Sequence, residues 1–309
     1  MIDPSMRKEH VFEKENTLFT VQCTKIYILT IIIIKMIHMS RKEKDLEQIY
    51  RLIVEKLGQL SKGDAFAKTM EENRNFNYKG KDDSYFFEKM TQVVFESGLR
   101  PTSWAPHRDG IKKAFCHFNV RKVASFDNDD IQSVLALKDM IHRKPKIEAV
   151  VFNARKIAEK SKEHNGFWKW IDGEVTREGE LIFPKPELIE KIQKTFKWLT
   201  GINAYYFLKL CGVDVIKPDL NVRRILFRLG LTETDKNNRK TWSQIQDVGR
   251  RISKATGERI INIDYVIYLY GSGGIQFFDH PICTIKPKCE ECPLTNFCNW
   301  YKSQRGEQN

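Results

Sequence analysis

Four cysteines, Cys283, Cys289, Cys292 and Cys298, fall within 16 residues near the end of a 309-residue chain, with gaps of five, two and five residues between them. Nothing else in the sequence restricts the fold as much, because thiols crowded into so short a segment must share one partner. A disulfide framework spreads its cysteines through a short secreted domain; here the chain is long, and the other three, Cys23, Cys116 and Cys211, are isolated. Soft thiolates at this spacing suit an iron–sulfur cluster or tetrahedral zinc, and the spacing alone leaves both open. Residues 283–298 are therefore expected to form a metal loop in a protein kept in a reducing, intracellular compartment.

Charge narrows the partners. Lys and Arg outnumber Asp and Glu by 52 to 40, a net of +12, so the surface should attract a polyanion, nucleic acid first and an anionic membrane second. Residues 1–38 hold five basic and four acidic side chains, so the basic character belongs to the chain from residue 39 onward. The apolar run 26–37 is broken by Lys35. It falls short of the about 20 residues a membrane span needs, and no small-residue cleavage site comes after it. The expected layout is an extension over 1–38 outside the fold, a core over 39–282, the cysteine loop over 283–298 and a tail over 299–309. No membrane association is expected, and the protein should be a monomer.

From residue 39 apolar positions recur at three- and four-residue spacing, with few alternating stretches. This predicts helices over 85–96, with Ser84 as N-cap, and over 111–118, 129–137, 146–162, 186–197, 204–211, 221–229, 242–256 and 262–270. The fold class is all-α with two lobes.

Between two of these helices lies Leu199-Thr-Gly-Ile-Asn-Ala204. Gly201 and Asn203 are residue types that enter left-handed backbone cheaply, and such a turn presents N–H groups at a helix start, where a phosphate is favoured. Downstream, in Val215-Ile-Lys-Pro-Asp-Leu-Asn-Val-Arg-Arg224, Pro218 stops one segment and Asp219 enters the next helix. A plain N-cap explains Asp219. So does a carboxylate facing a cleft, able to stabilise a sugar with oxocarbenium character or to orient water against its C1′.

The hairpin, the Lys-Pro-Asp-Leu-Asn-Val-Arg-Arg segment and the cysteine cluster, taken in order over about 185–300, resemble the helix-hairpin-helix superfamily of DNA glycosylases that includes endonuclease III and the adenine glycosylases. Upstream, Tyr85-Phe-Phe-Glu-Lys-Met, Phe95-Glu-Ser-Gly-Leu, Lys113-Ala-Phe-Cys-His-Phe and the stretch from Ile141 to Arg155 resemble 3-methyladenine DNA glycosylase I. The resemblance implies a two-lobed helical glycosylase with Asp219 as the catalytic aspartate, Gly201, Ile202, Asn203 and Ala204 as the phosphate-binding hairpin, and a [4Fe–4S] cluster rather than zinc on the four cysteines. Tyr205 occupies the position where bifunctional members carry the lysine that forms a Schiff base and cuts the strand, which implies a monofunctional enzyme; Lys209 lies one turn beyond. Two departures stand out: Val93 replaces a glutamate of the 3-methyladenine enzymes, and their terminal zinc-ligand pattern is not recognisable.

A monofunctional DNA glycosylase of base excision repair must flip a damaged base out of a duplex. Leu99 is the expected wedge, Trp104 the stacking surface and Tyr205 a pocket residue, with Lys286, Lys288 and Arg223 on the DNA backbone and Arg224 beside them. The expected substrate is an alkylated purine such as 3-methyladenine. A deaminated or oxidised base, a non-catalytic DNA-binding protein and a zinc-stabilised regulator are the alternatives.

Overall fold

The structure, a computed structural model, describes residues 43–98, 104–272, 278 and 280–306. The extension 1–38 and the wedge candidate Leu99 lie outside these residues. Two compact units are distinguished, 1–48 and 49–309. The described part of the first, 43–48, is helical. In the second, a helix over 49–60 is followed by α1 (Ala65–Arg74), α2 (Asp83–Glu96), α3 (Arg108–Ala114), α4 (Val120–Ala124), α5 (Asn128–Leu135), α6 (Lys144–His164) and α7 (Phe167–Gly173). Then come β1 (Val175–Glu178), β2 (Leu181–Pro184), α8 (Pro186–Thr195), α9 (Ile202–Leu210), α10 (Leu220–Arg228), α11 (Arg239–Thr256), α12 (Ile260–Gly271) and α13 (Asn299–Gln304). Among the described residues no helix is long and apolar enough to cross a membrane.

The fold is helical, as the periodicity required. In α2 the apolar positions bury Phe86, Phe87, Met90, Val93, Val94 and Phe95 against the long helix α6, whose Ile147, Val150, Val151, Ala154 and Ile157 complete that core. The N-cap of α2 is Asp82, which accepts the Tyr85 N–H at 2.9 Å, not Ser84. At its other end Lys146 donates to the Phe95 and Ser97 carbonyls at 2.8 and 2.6 Å. This satisfies acceptors that a helix terminus leaves open and fixes the last turn, where Glu96 stands.

Two expectations change. The helix predicted over 111–118 stops at Ala114, and Cys116, His117 and Phe118 take positive φ of 49°, 54° and 60°. That left-handed turn is costly for residues with a Cβ, and it brings Phe118 into the core against Phe87, with ring centroids 6.1 Å apart. The second change is the antiparallel hairpin β1–β2, which pairs Val175 with Pro184 and Glu178 with Leu181. It interrupts the helices to bury Ile182 and Phe183.

A second group of packed helices, α10, α11 and α12, buries Val222, Ile225, Ile245, Val248, Ile252, Ile263 and Val266. One ionic clasp links distant parts of the chain. The Arg259 guanidinium, at the entrance of α12, pairs with buried Asp214 at 2.9 Å and donates to the Phe76 and Gly212 carbonyls at 2.6 and 2.9 Å. Asp214 in turn accepts the Ile182 N–H of β2 at 2.9 Å.

Candidate active site and cysteine cavity

The hairpin ahead of α9 turns on Gly201, at φ 56° and ψ −129°. Only glycine holds that conformation without strain. The Asn203 side chain closes the turn, donating to the Trp198 carbonyl at 2.8 Å and the Ser97 hydroxyl at 3.0 Å, while Ala204 is buried and Ile202 half-buried. A Cβ on Gly201 would meet only Trp242, at 3.6 Å, which is ordinary contact. Gly201→Ala is therefore expected to cost about 1–3 kcal/mol through backbone strain alone, read as a lower midpoint of chemical unfolding.

Along α9 successive side chains separate. Tyr205 turns to Trp242, with ring centroids 6.1 Å apart. Tyr206 and Lys209 instead line a pocket of about 410 Å³, walled also by Glu96, Lys217, Asp219 and Asp264, and Tyr205 is not among its lining residues. Asp219 reaches this pocket as the N-cap of α10, where its Oδ1 accepts the Asn221 and Val222 N–H groups at 2.9 and 3.1 Å. Capping and access to the pocket are thus combined in one carboxylate, and the helix N-terminus favours its negative charge.

The other charged groups are arranged in pairs. Asp264, buried on α12, forms an ion pair with Lys209 and accepts the Lys217 N–H at 2.6 Å; burial raises its carboxyl above the usual range, with Lys209 opposing. Glu96 accepts from the Tyr206 hydroxyl at 2.5 Å and from the Gln92 amide at 3.0 Å. The Lys217 amine lies 3.6 Å from the centre of the Tyr206 ring, and burial lowers its pKa. Sequence reasoning did not single out Glu96, Lys217 or Asp264. A signal existed for the last, a lone acid in the apolar run Ile260-Ile-Asn-Ile-Asp-Tyr-Val-Ile.

Two expected DNA contacts are corrected. Arg223 is 7% exposed and its guanidinium is used internally, donating to the Pro218 and Asp235 carbonyls and to the Asn237 side chain at 2.8–3.0 Å. Arg224 likewise donates to Asn221 and to the Gly271 and Cys283 carbonyls. Buried arginines must satisfy their donors locally, so neither faces a phosphate. Trp104 is 6% exposed and part of the hydrophobic core, because burying its large apolar ring outweighs leaving it wet; it offers no stacking surface.

The four cysteines come together. Cys283, Cys289, Cys292 and Cys298 line one cavity with Arg228, Trp300 and Tyr301. Among the described residues no group of three or more His, Cys, Asp or Glu side chains is arranged to hold a single metal ion. Donors aim at the sulfurs: the Arg228 guanidinium at Cys283 Sγ, 3.4 Å, and the Tyr301 N–H at Cys298 Sγ, 3.4 Å, with the Tyr270 hydroxyl 3.0 Å from Cys292 Sγ. Hydrogen bonds to sulfur are what cysteine-held metal centres use, and four thiolates with such donors fit an iron–sulfur cluster. In the loop between the first two cysteines Lys286 is exposed, whereas the Lys288 amine lies 3.0 Å from the His280 ring.

Residues 73–212 match the family described as methyladenine glycosylase, and residues 285–298 match the iron–sulfur binding domain of endonuclease III. Among solved structures, 3-methyladenine DNA glycosylase I of Staphylococcus aureus is 20% identical over 42% of this chain and 77% of its own, at a TM-score of 0.36. The 8-oxoguanine glycosylase/lyase of Methanocaldococcus jannaschii, solved with a DNA 15-mer containing 8-oxoguanine, is 15% identical over 70% of this chain and 95% of its own, at 0.46. The 8-oxoguanine DNA glycosylase of Thermotoga maritima is 18% identical over 75% and 97%, at 0.45.

Proposed function

We infer that the chain is a DNA N-glycosylase of the helix-hairpin-helix superfamily, that it releases an alkylated purine, 3-methyladenine foremost, from duplex DNA, and that water rather than an enzyme amine displaces the base. The observation that carries the reading is Asp219, a carboxylate held rigidly by two N–H bonds and lining a pocket of about 410 Å³. As the glycosylic bond stretches, the sugar gains positive charge, and a fixed carboxylate beside it stabilises that charge without reorganising and orients water against C1′.

The charge of the pocket supports the substrate class. Glu96, Asp219 and Asp264 face two lysines, Lys209 and Lys217. An excess of carboxylates favours a base that carries positive charge on the ring, as N-alkylated purines do. With Tyr205 where bifunctional relatives carry lysine, the base-release step is monofunctional.

The DNA duplex would lie along the Gly201–Ala204 hairpin, where Lys194 and Lys197 line the adjoining groove, with Lys286 of the cysteine loop on the same polyanion. A [4Fe–4S] cluster on the four cysteines would supply structural rigidity to the loop, since hydrolysis needs no electron transfer.

The test offers the protein methylated DNA, and separately duplexes bearing single deaminated or oxidised lesions, and identifies the released bases by chromatography. Free 3-methyladenine is the expected product. Release of only a deaminated or oxidised base would overturn the substrate class, and binding without release from any DNA would overturn the enzymatic reading.

A further inference from the structure

The chain has six tryptophans, all among the described residues, and only Trp198 is left exposed, at 37%. Its backbone is left-handed, with φ 66°, a conformation that is costly for any residue with a Cβ. Two asparagines enforce it. Buried Asn153 of α6 clamps Lys197, accepting its N–H at 2.8 Å and donating to its carbonyl at 3.0 Å, and Asn203 donates to the Trp198 carbonyl at 2.8 Å. The Lys146 amine stands 5.0 Å from the centre of the indole ring and is itself anchored on the Phe95 and Ser97 carbonyls, which gives the ring a fixed cation beside it. Strain of this kind persists only where the surroundings over-determine it, and it clusters at functional sites. Here it secures an exposed aromatic ring.

Trp198 lines a groove of about 680 Å³ together with Phe152, Lys194 and Lys197. The Lys197 amine lies 4.5 Å from the centre of the Phe152 ring, and Lys194 is largely exposed, with Glu190 3.6 Å away. Lysines serve a duplex and a single strand alike, since both present phosphates. An aromatic face discriminates. Inside a duplex each base is covered by its neighbours, whereas an unpaired base offers its face for stacking.

We propose that this groove binds single-stranded DNA, with an unpaired base stacked on Trp198 and the flanking phosphates neutralised by Lys194 and Lys197. The groove shares no lining residue with the pocket of Asp219. The proposal rests on the glycosylase reading only in taking DNA as the ligand, and it adds a hold on parted strands beside the hairpin assigned to the duplex.

The experiment gives the full-length protein an oligothymidylate of about eight nucleotides, a length within the site sizes of single-strand grooves, carrying one 5-iodouracil. Irradiation of the wild-type complex is expected to crosslink the base to a stacked aromatic ring, and digestion with mass spectrometry to place the crosslink on Trp198. Fluorescence anisotropy gives the affinities. Trp198→Gly, which removes the ring and suits the left-handed backbone, should weaken single-strand binding about ten-fold and binding to an undamaged hairpin duplex far less. Trp198→Phe should keep most of the single-strand affinity. Lys197→Gln should reduce the slope of log affinity against log salt by about 0.7, one phosphate contact on a single strand. No single-strand binding by wild-type protein, a crosslink confined to other residues, or equal losses on duplex and single strand would overturn the proposal. Base release from methylated duplex by the same wild-type preparation tells this failure apart from failure of the glycosylase reading.

Discussion

Asp219→Asn is expected to lower single-turnover base release by on the order of 10³-fold while leaving the fold intact. The two outcomes separate because the carboxylate has the capping role and the proposed catalytic one, and asparagine keeps only the first. Its Oδ1 caps α10 by accepting the Asn221 and Val222 N–H groups, and asparagine is as good an N-cap as aspartate. What disappears is the negative charge that, on the proposed mechanism, faces the developing oxocarbenium ion. Stability should therefore shift by less than about 1 kcal/mol in chemical unfolding, and binding to undamaged duplex should persist. Equal loss of stability and activity would show Asp219 to be a cap and nothing more; unchanged activity would move the chemistry to another group of the pocket.

The second large effect concerns the clasp beneath the pocket. Arg259→Ala is expected to destabilise the protein by about 3–5 kcal/mol, read as a fall in the urea midpoint or as loss of folded protein. Asp214 is fully buried, and removing the guanidinium leaves its charge with only the N–H bonds of Ile182 and Ile261. It also leaves the Phe76 and Gly212 carbonyls without their donor. Because the clasp joins the segment after α1, β2, the segment after α9 and the entrance of α12, its loss should loosen the wall that carries Asp264. Replacing Asp214 and Arg259 together by apolar residues should restore much of the stability, since a buried ion pair stabilises little relative to a well-packed apolar pair. A mild effect of Arg259→Ala would mean that water reaches Asp214.

Features that depend on local chemistry were legible in the sequence. The cysteine spacing announced a shared cavity, Pro218 and Asp219 announced a helix start, and the three- and four-residue periodicity announced the helices. The hairpin at Gly201 came from the one residue type that tolerates its φ and ψ. What the sequence concealed was set by tertiary contact. Arg223 reads as a surface cation until Asn237 and two carbonyls are folded around it, and Trp104 reads as a stacking platform until the core closes over it. The turn at Cys116–Phe118 defies local preference because burying Phe118 rewards it. Glu96 and Lys217 are 121 positions apart in sequence, and only the packing of α2 against α9 and the segment after it puts them in one pocket.

Helix α10 is capped by Asp219 at one end and ends at Arg228, whose guanidinium donates to Cys283 Sγ and to the Thr284 and Ile285 carbonyls. Nine residues make a rod of about 13 Å, stiff enough that whatever displaces one end is felt at the other. The cysteine loop is thus the footing on which the aspartate stands. An oxidant that disorders the loop is expected to lower the proposed base release without altering any residue of the pocket.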